Sequence, residues 1–585
     1  MSKPPSLKRL SDGSSWGQLI TLDSTPYPIW ARSTLANLSS EFSFSPDPRQ
    51  WGLALAPDLI ESDDDQYTAL KDGDGFITRL SVRGVGNVGC LLLVIAGLLA
   101  LFIGYPVVTF YIPPVLDSTI SINSTGQVPQ LIGNQGLIDE HTPREAYTRN
   151  AWNDIATEMQ LVFSDEFNMD GRSFYPGDDP YWEALDLHYW ATNNLEWYDP
   201  GAVTTKNGSL VITLSQKETH GLDYEGGLFT TAPLNNRDLT PSLGMLTSWN
   251  KFCFTGGYVE TSVQLPGASN ILGLWPAIWS MGNLGRAGYG ASLEGLWPYT
   301  YDSCDVGTVA NQTVNGLPVA ATINGDAGKG DALSYLPGQR LSRCTCSGES
   351  HPGPKHSDGT FVGRSAPEID VFEAQVTEET LIGQVSQSAQ WAPFNAGYLW
   401  NNTPANMVIT DPNITQINTF VGSGTQQATS LTSITNPNCY EQSGACYSLY
   451  GFEYRPGFDN GYITWVANNK TSWTLNAPGM GPDPSVEISA RPVAKEPMYL
   501  IANLGMSRSF GPVDLAHLTF PVHMKVDYIR VYQPKNAINI GCDPKEFPTK
   551  KYIDRYNEAY VNPNLTTWVD DYQQSWPKNS FLKQC

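Results

Sequence analysis

Three carboxylates stand within six residues at Glu368-Ile369-Asp370-Val371-Phe372-Glu373, spaced by Ile, Val and Phe. Acids set among such apolar neighbours belong to a strand that buries one of its sides. Two carboxyl groups roughly 5–6 Å apart can cleave a glycosidic bond with retention, one attacking the anomeric carbon while the other protonates the departing oxygen. Glu368 is the expected nucleophile and Glu373 the expected acid/base. Asp370 lies between them, and like charges this close cannot all ionise cheaply, so at least one carboxyl keeps its proton near neutral pH. An exposed acidic edge strand without chemistry is the plainer alternative, but it gives the Ile-Val-Phe layer no purpose.

For the three acids to meet, the strand must be irregular. Successive side chains alternate faces, so Glu368 and Asp370 share one face while Ile369 and Val371 point to the other. Strict alternation sends Glu373 to the wrong face, and a single-residue β-bulge near Val371 and Phe372 brings it back. The bulge and strand twist also shorten the roughly 16 Å of extended chain between the two glutamates. The surrounding sequence supplies a fold for such a strand. From Leu161–Phe167 onward, short β-type runs recur, among them Leu210–Leu214 and Gly257–Leu265, punctuated by Asn-Gly and Pro-Gly turns and without a fixed repeat. The pattern predicts an all-β sandwich or barrel.

The six-residue stretch resembles the catalytic signature of family 16 glycoside hydrolases, retaining enzymes of β-glucans built on a concanavalin A-like β-jelly-roll sandwich. Two further segments are similar to that family, Gly273–Ser280 upstream and Val526–Gln533 as a closing strand, so the likeness covers most of residues 160–535. The resemblance implies Glu368 as nucleophile, Asp370 as assisting carboxylate and Glu373 as acid/base. It also places Trp275 and Trp279 near the sugar cleft. Four residues apart, the two rings share a face of one strand, either cleft or core. Trp391, after the next β-type run, is a further cleft candidate.

Composition bounds the partners. With 41% hydrophobic and 16% charged residues, 53 Gly and 42 Pro, the chain reads as a turn-rich β protein with enough apolar material for a large core. A net charge of −23 argues against nucleic acid. A neutral polysaccharide needs no basic surface, and 17 Trp with 28 Tyr offer flat faces to sugar rings.

Residues 1–83 are rich in Ser, Pro and Asp and read as a disordered tail. Residues 84–112 carry no charge and are centred on Leu91–Ile103, long enough to cross a ~30 Å hydrocarbon core. The preceding tail is too long for an ordinary secretory signal, so the segment is expected to be a retained transmembrane signal anchor. Lys71, Arg79 and Arg83 lie before it and the next basic residue is Arg144, which puts the tail in the cytoplasm and the remainder outside it. A GxGxxG match at Gly84–Gly89 has no strand ahead of it and fails as a dinucleotide site. Residues 113–150 begin with two prolines and read as a stalk, followed by the catalytic domain over 151–535 and an extension over 536–585.

Between Trp297 and Pro367 about seventy residues intervene where compact family members have a short connection. This insertion holds Cys304, Cys344, Cys346, His351 and His356. A zinc site is conceivable, but eight of nine cysteines lie beyond the expected anchor, an even number suited to disulfides in an oxidising compartment. No metal or cofactor is therefore expected. Cys439 and Cys446 are near enough in sequence to close a small loop, and Cys542 with Cys585 could pin the extension, where Tyr552, Tyr556 and Tyr560 recur at helical spacing.

Anchor and insertion narrow the resemblance to the fungal β-glucan synthesis-associated type II membrane proteins, through Phe174–Glu183, Asp186–Ala191, Trp249–Gly257 and Gly282–Arg286. This resemblance implies a role in making wall β-1,6-glucan in the secretory pathway, with β-glucan chains as substrate, membrane lipid around the anchor, and wall-synthesis partners reached through the tail. Many family hydrolases carry a cleft His after the catalytic strand; Val385–Trp391 has none, which leaves simple hydrolysis less well supported than the fold. Transglycosylation is the favoured outcome, with a non-catalytic glucan-binding or scaffold protein as the competing class. The stated topology exposes the sequons at Asn123, Asn207, Asn311, Asn401, Asn413, Asn469 and Asn564 to lumenal glycosylation and withholds Asn37.

Overall fold

The computed structural model describes residues 82–99, 102, 136–218, 239–444 and 446–585. The chain divides into two units, Met1–Pro114 and Val115–Cys585. In the first, α1 (Val82–Leu99) is an 18-residue helix whose later leucines are exposed. Among the described residues no helix is long and apolar enough to cross a membrane. The rest of the expected anchor, except Phe102, lies outside the described residues, as do the tail ahead of α1, Asn37 and Asn123.

The second unit is a sandwich of two antiparallel sheets, with its strands numbered here in chain order. One sheet runs through β11 (Lys470–Asn476), β10 (Tyr462–Ala467), β9 (Ser448–Arg455), β4 (Gly257–Gln264), β13 (Val522–Pro534) and β2 (Leu210–Glu218), with β1 (Glu158–Asp165) also paired to β13. The other runs through β8 (Gln426–Ile434), β7 (Gly383–Trp391), β6 (Glu368–Val376), β5 (Trp275–Gly282), β12 (Met498–Gly505) and β3 (Met245–Thr247). Apolar residues on alternate positions fill the space between the sheets, and Phe372 of β6 meets Tyr450 of β9 across it at 4.8 Å. The acids therefore sit at the centre of a sheet, on the face turned away from the core.

Three sequence expectations are corrected here. The stalk ends earlier than residue 150: Asp139 and Thr142 are buried, and Thr148–Asn150 pairs with β1. The extension is not closed on itself, since Cys542 bonds to Cys253 and Cys585 to Cys346. Trp391 lies in the main core, 1% exposed, its indole donating to Thr429 Oγ1 at 3.0 Å. Parity explains the last: Ser386, Ser388 and Gln390 of β7 bond the β6 acids, so alternation turns Trp391 inward.

The other cysteines of this unit pair Cys304 with Cys344 and, as expected, Cys439 with Cys446. Tyr299, Tyr301 and Leu333 of the insertion form a second apolar cluster with Phe394, which follows β7. The extension packs back on the sandwich through two short helices, α2 (Lys550–Arg555) and α3 (Asn557–Val561), with Tyr560 stacked on Trp249 at 5.7 Å.

Candidate active site

β6 carries the bulge that the sequence requires. Ile278 of β5 faces Phe372 and Trp279 faces Asp370, so Val371 is the extra residue. On the other side Ile369 pairs with Ala389 and Glu373 with Ser386, again with one residue over. Val371 and Phe372 both enter the core, and Glu373 returns to the face of Glu368 and Asp370. A bulge orphans main-chain carbonyls, and two buried side chains satisfy them. Trp465 Nε1 of β10 donates across the core to the Asp370 carbonyl at 2.7 Å, and Gln387 Nε2 of β7 donates to the Val371 carbonyl at 3.0 Å. Trp465 is itself stacked on Trp473 at 4.1 Å. The irregularity is thus built into the core and fixed from both sheets.

On the open face each acid has a distinct set of donors. Trp297 Nε1 donates to Glu368 Oε2 at 2.5 Å. Ser388 Oγ and Gln390 Nε2 converge on Asp370 Oδ2 at 2.8 and 3.2 Å. Trp275 Nε1 donates to Glu373 Oε1 at 3.1 Å and Ser386 Oγ to its Oε2 at 3.3 Å. Burial, reinforced by the Glu373 charge, pushes Glu368 up to about 8 against the indole of Trp297 and a hydrogen bond from Asp370. Burial, then the Asp370 charge, pushes Glu373 to about 8 against Trp275, Ser386 and Ser388. Burial, then the Glu368 charge, raises Asp370 well above the usual carboxylate range. Asp370 and Glu368 also share a hydrogen bond, so the two carboxyls hold at least one proton between them while it persists.

Trp275 and Trp279 are half-buried on the same face as the acids. Trp275 stacks on Phe510 at 4.1 Å, and Trp279 Nε1 donates to Asn503 Oδ1 at 2.7 Å. Asn503 in turn donates to the hydroxyl of Tyr198 at 3.1 Å. Sequence reasoning missed Trp297, Asn503 and the polar row of β7. That row was readable as alternation in Val385–Trp391; Trp297 opens an irregular insertion, where no periodicity marks it. Of the sequon asparagines, Asn207, Asn311, Asn401, Asn413, Asn469 and Asn564 are all exposed. Among the described residues no cluster of His, Cys, Asp or Glu is arranged to hold a metal ion.

The chain matches the family described as beta-glucan synthesis-associated protein SKN1/KRE6/Sbg1 over residues 57–585. It is 42% identical over 539 residues to beta-glucan synthesis-associated protein KRE6 of Saccharomyces cerevisiae, covering 90% of this chain and 68% of that protein. To SKN1 of Candida albicans it is 40% identical over 534 residues, covering 90% and 66%. The chain thus spans about two thirds of the length of these relatives. Among solved structures, the laminarinase catalytic domain of Thermotoga maritima is 18% identical, with 64% of this chain and 98% of that one covered and a TM-score of 0.34. With the family match running from residue 57 to the C-terminus, through β6 and the extension alike, the chain belongs to the SKN1/KRE6/Sbg1 family of beta-glucan synthesis-associated proteins.

Proposed function

We propose that the protein is a membrane-anchored, retaining β-glucan transglycosylase of wall β-1,6-glucan synthesis, with its catalytic unit on the lumenal side. The observation that carries this is the bulge that gathers Glu368, Asp370 and Glu373 on one face. Both glutamates stand near 8, and the reacting form is the one in which Glu368 has given up its proton while Glu373 keeps its own. In the first step the Glu368 carboxylate forms a bond to the anomeric carbon as the glycosidic C–O bond breaks, and the Glu373 carboxyl gives its proton to the leaving oxygen. In the second, an acceptor sugar hydroxyl attacks the glycosyl-enzyme, Glu373 takes its proton, and Glu368 is released. Water in place of the acceptor gives hydrolysis by the same steps. Asp370 steadies the Glu368 charge whenever it is free, and the rings of Trp275 and Trp279 provide flat surface beside the acids for the glucan.

Detergent-solubilised full-length protein, incubated with defined β-1,3- and β-1,6-gluco-oligosaccharides, should return products longer than the donor. Shorter products alone would make it a hydrolase, and unchanged substrate with measurable binding would make it a glucan-binding scaffold. Glycopeptide mapping tests the orientation. Glycans are expected on some of the seven sequons beyond the anchor, six of which are seen to be exposed. A glycan on Asn37 with none beyond the anchor would invert the topology.

A further inference from the structure

Trp297, the donor to the expected nucleophile, sits on a turn that cannot hold its own shape. The helix ahead of it, Gly290–Leu293, has four residues, too few to be stable alone. Trp297 N bonds back to Leu293 O at 3.0 Å, so the indole goes where this turn goes. The turn is held from outside, by the Ala366 N–H on the Leu296 carbonyl at 3.0 Å, by Arg340 and by the C-terminal extension. Ala291 N donates to Leu565 O at 2.9 Å, and Trp568 N donates to the Glu294 carboxylate at 2.5 Å. Trp576 packs so tightly on Gly295 that a Cβ there would lie 2.2 Å from its ring.

Between turn and extension lies Arg340, 2% exposed. Its guanidinium donates to the Ala291 and Ser292 carbonyls at 2.9 and 3.0 Å and lies 3.7 Å over the ring of Trp568, which is also 2% exposed. Its own N–H donates to Gly295 O at 2.8 Å. Burying a guanidinium against carbonyls and an indole face is costly, and here it adds a link from Trp568 to the turn beside the direct ones. The far end of the extension is tied to the insertion by Cys346–Cys585.

We infer that the C-terminal extension is a working part of the catalytic site: through Trp568 and Arg340 it positions the Gly290–Trp297 turn, and the turn holds the Trp297 N–H on the Glu368 carboxylate. Trp297 would be a catalytic residue, stabilising the carboxylate that must attack and later leave; Trp568 and Arg340 are positioning residues acting through it. This rests on the proposed role of Glu368. The other titratable groups that face Glu368 are Asp370 and Glu373 on its own strand, Tyr189, and Tyr499 of β12.

The test uses the full chain and two readouts. Tryptophan fluorescence should show a pH-dependent component in the wild type that is absent from Glu368→Gln and from Trp297→Phe, and displaced in Trp568→Ala. The acid limb of kcat/KM should rise by about one pH unit in Trp297→Phe, because a donor to the charged form has been lost. Trp568→Ala should move the limb the same way, Trp568→Phe should restore most of it, and Trp297→Phe with Trp568→Ala should move it no further than Trp297→Phe alone. Should Trp568→Ala not fold, Arg340→Lys takes its place in the same cycle. An unmoved limb in Trp297→Phe, or a Trp568 effect that persists without the Trp297 N–H, overturns the inference. If the wild type turns over no glucan, the fluorescence titration still decides it, and only the proposed function fails.

Discussion

Among the carboxylates buried in this sandwich, two sets have contrasting partners. Glu496 receives Arg364 Nε at 2.9 Å and Nη2 at 2.7 Å, Glu166 receives Arg530 Nε at 2.8 Å and Nη2 at 2.7 Å, and Asp165 receives Arg172 at 2.7 and 2.9 Å. Each of these acids is met by a guanidinium in the fixed geometry that neutralises charge. Glu368, Asp370 and Glu373 meet indoles, hydroxyls, an amide and one another. Burial raises Glu496 too, but Arg364 pulls it back; burial raises Glu368 and Glu373 to about 8, where each can still hold a proton or give it up. An acid locked to arginine is spent on structure, and an acid left among weak donors is available for proton transfer and attack.

If that contrast is sound, the largest effect belongs to Glu368→Gln. It should cost at least about a thousandfold in glycosyl transfer while leaving the fold intact, since it removes the attacking charge and almost no volume. Turnover like that of the wild type would end the enzyme assignment. Glu373→Gln should cost roughly a hundred- to ten-thousandfold with natural glucan leaving groups and far less with an activated phenol, which departs without protonation. Equal losses with both substrates would remove Glu373 from the acid role.

On the other side of the contrast, Arg364→Met should destabilise the unit by about 3–5 kcal/mol, because it strands the Glu496 carboxylate in the interior. Urea denaturation measures this. The pH dependence of whatever folded protein remains should match the wild type, and a shifted profile would show that the two sets of acids are electrostatically coupled.

How much of this was legible in the sequence follows from what each feature depends on. The acidic strand and its bulge could be read because alternation is a local rule, and Glu373 breaks it within six residues. The sandwich could be read for the same reason. The pins of the bulge could not: Trp465 and Gln387 are 95 and 16 residues from the carbonyls they satisfy. Trp391 was misplaced because an aromatic after a strand looks the same whether it faces sugar or core, and only the polar row Ser386, Ser388 and Gln390 settles its parity. The disulfides of the extension escaped for another reason. Cys542 and Cys585 look like neighbours in sequence, yet their partners lie 289 and 239 residues away, fixed by how the extension folds back.

The smallest effect is also the most direct measure of the protons themselves. Glu368 and Glu373 have ordinary values of 4.5 and stand near 8 in the folded protein. Between those values the native state holds protons that the unfolded chain has already lost, so their contribution is fully present below about pH 4.5 and disappears as pH rises through about 8. Each such proton tilts stability downward by about 1.4 kcal/mol per pH unit where it is held only by the native state. Other buried acids titrate in the same range, Glu196 among them at about 8, so the informative quantity is the difference between wild type and variant. Replacing Glu368 by Gln removes one titration. Its denaturation midpoint should lie close to that of the wild type near pH 5 and above it at pH 8, the gap opening across the window. Parallel curves would mean that the native state holds no extra proton at Glu368, and the distinction between acids neutralised by arginine and acids kept for chemistry would lose its electrostatic basis.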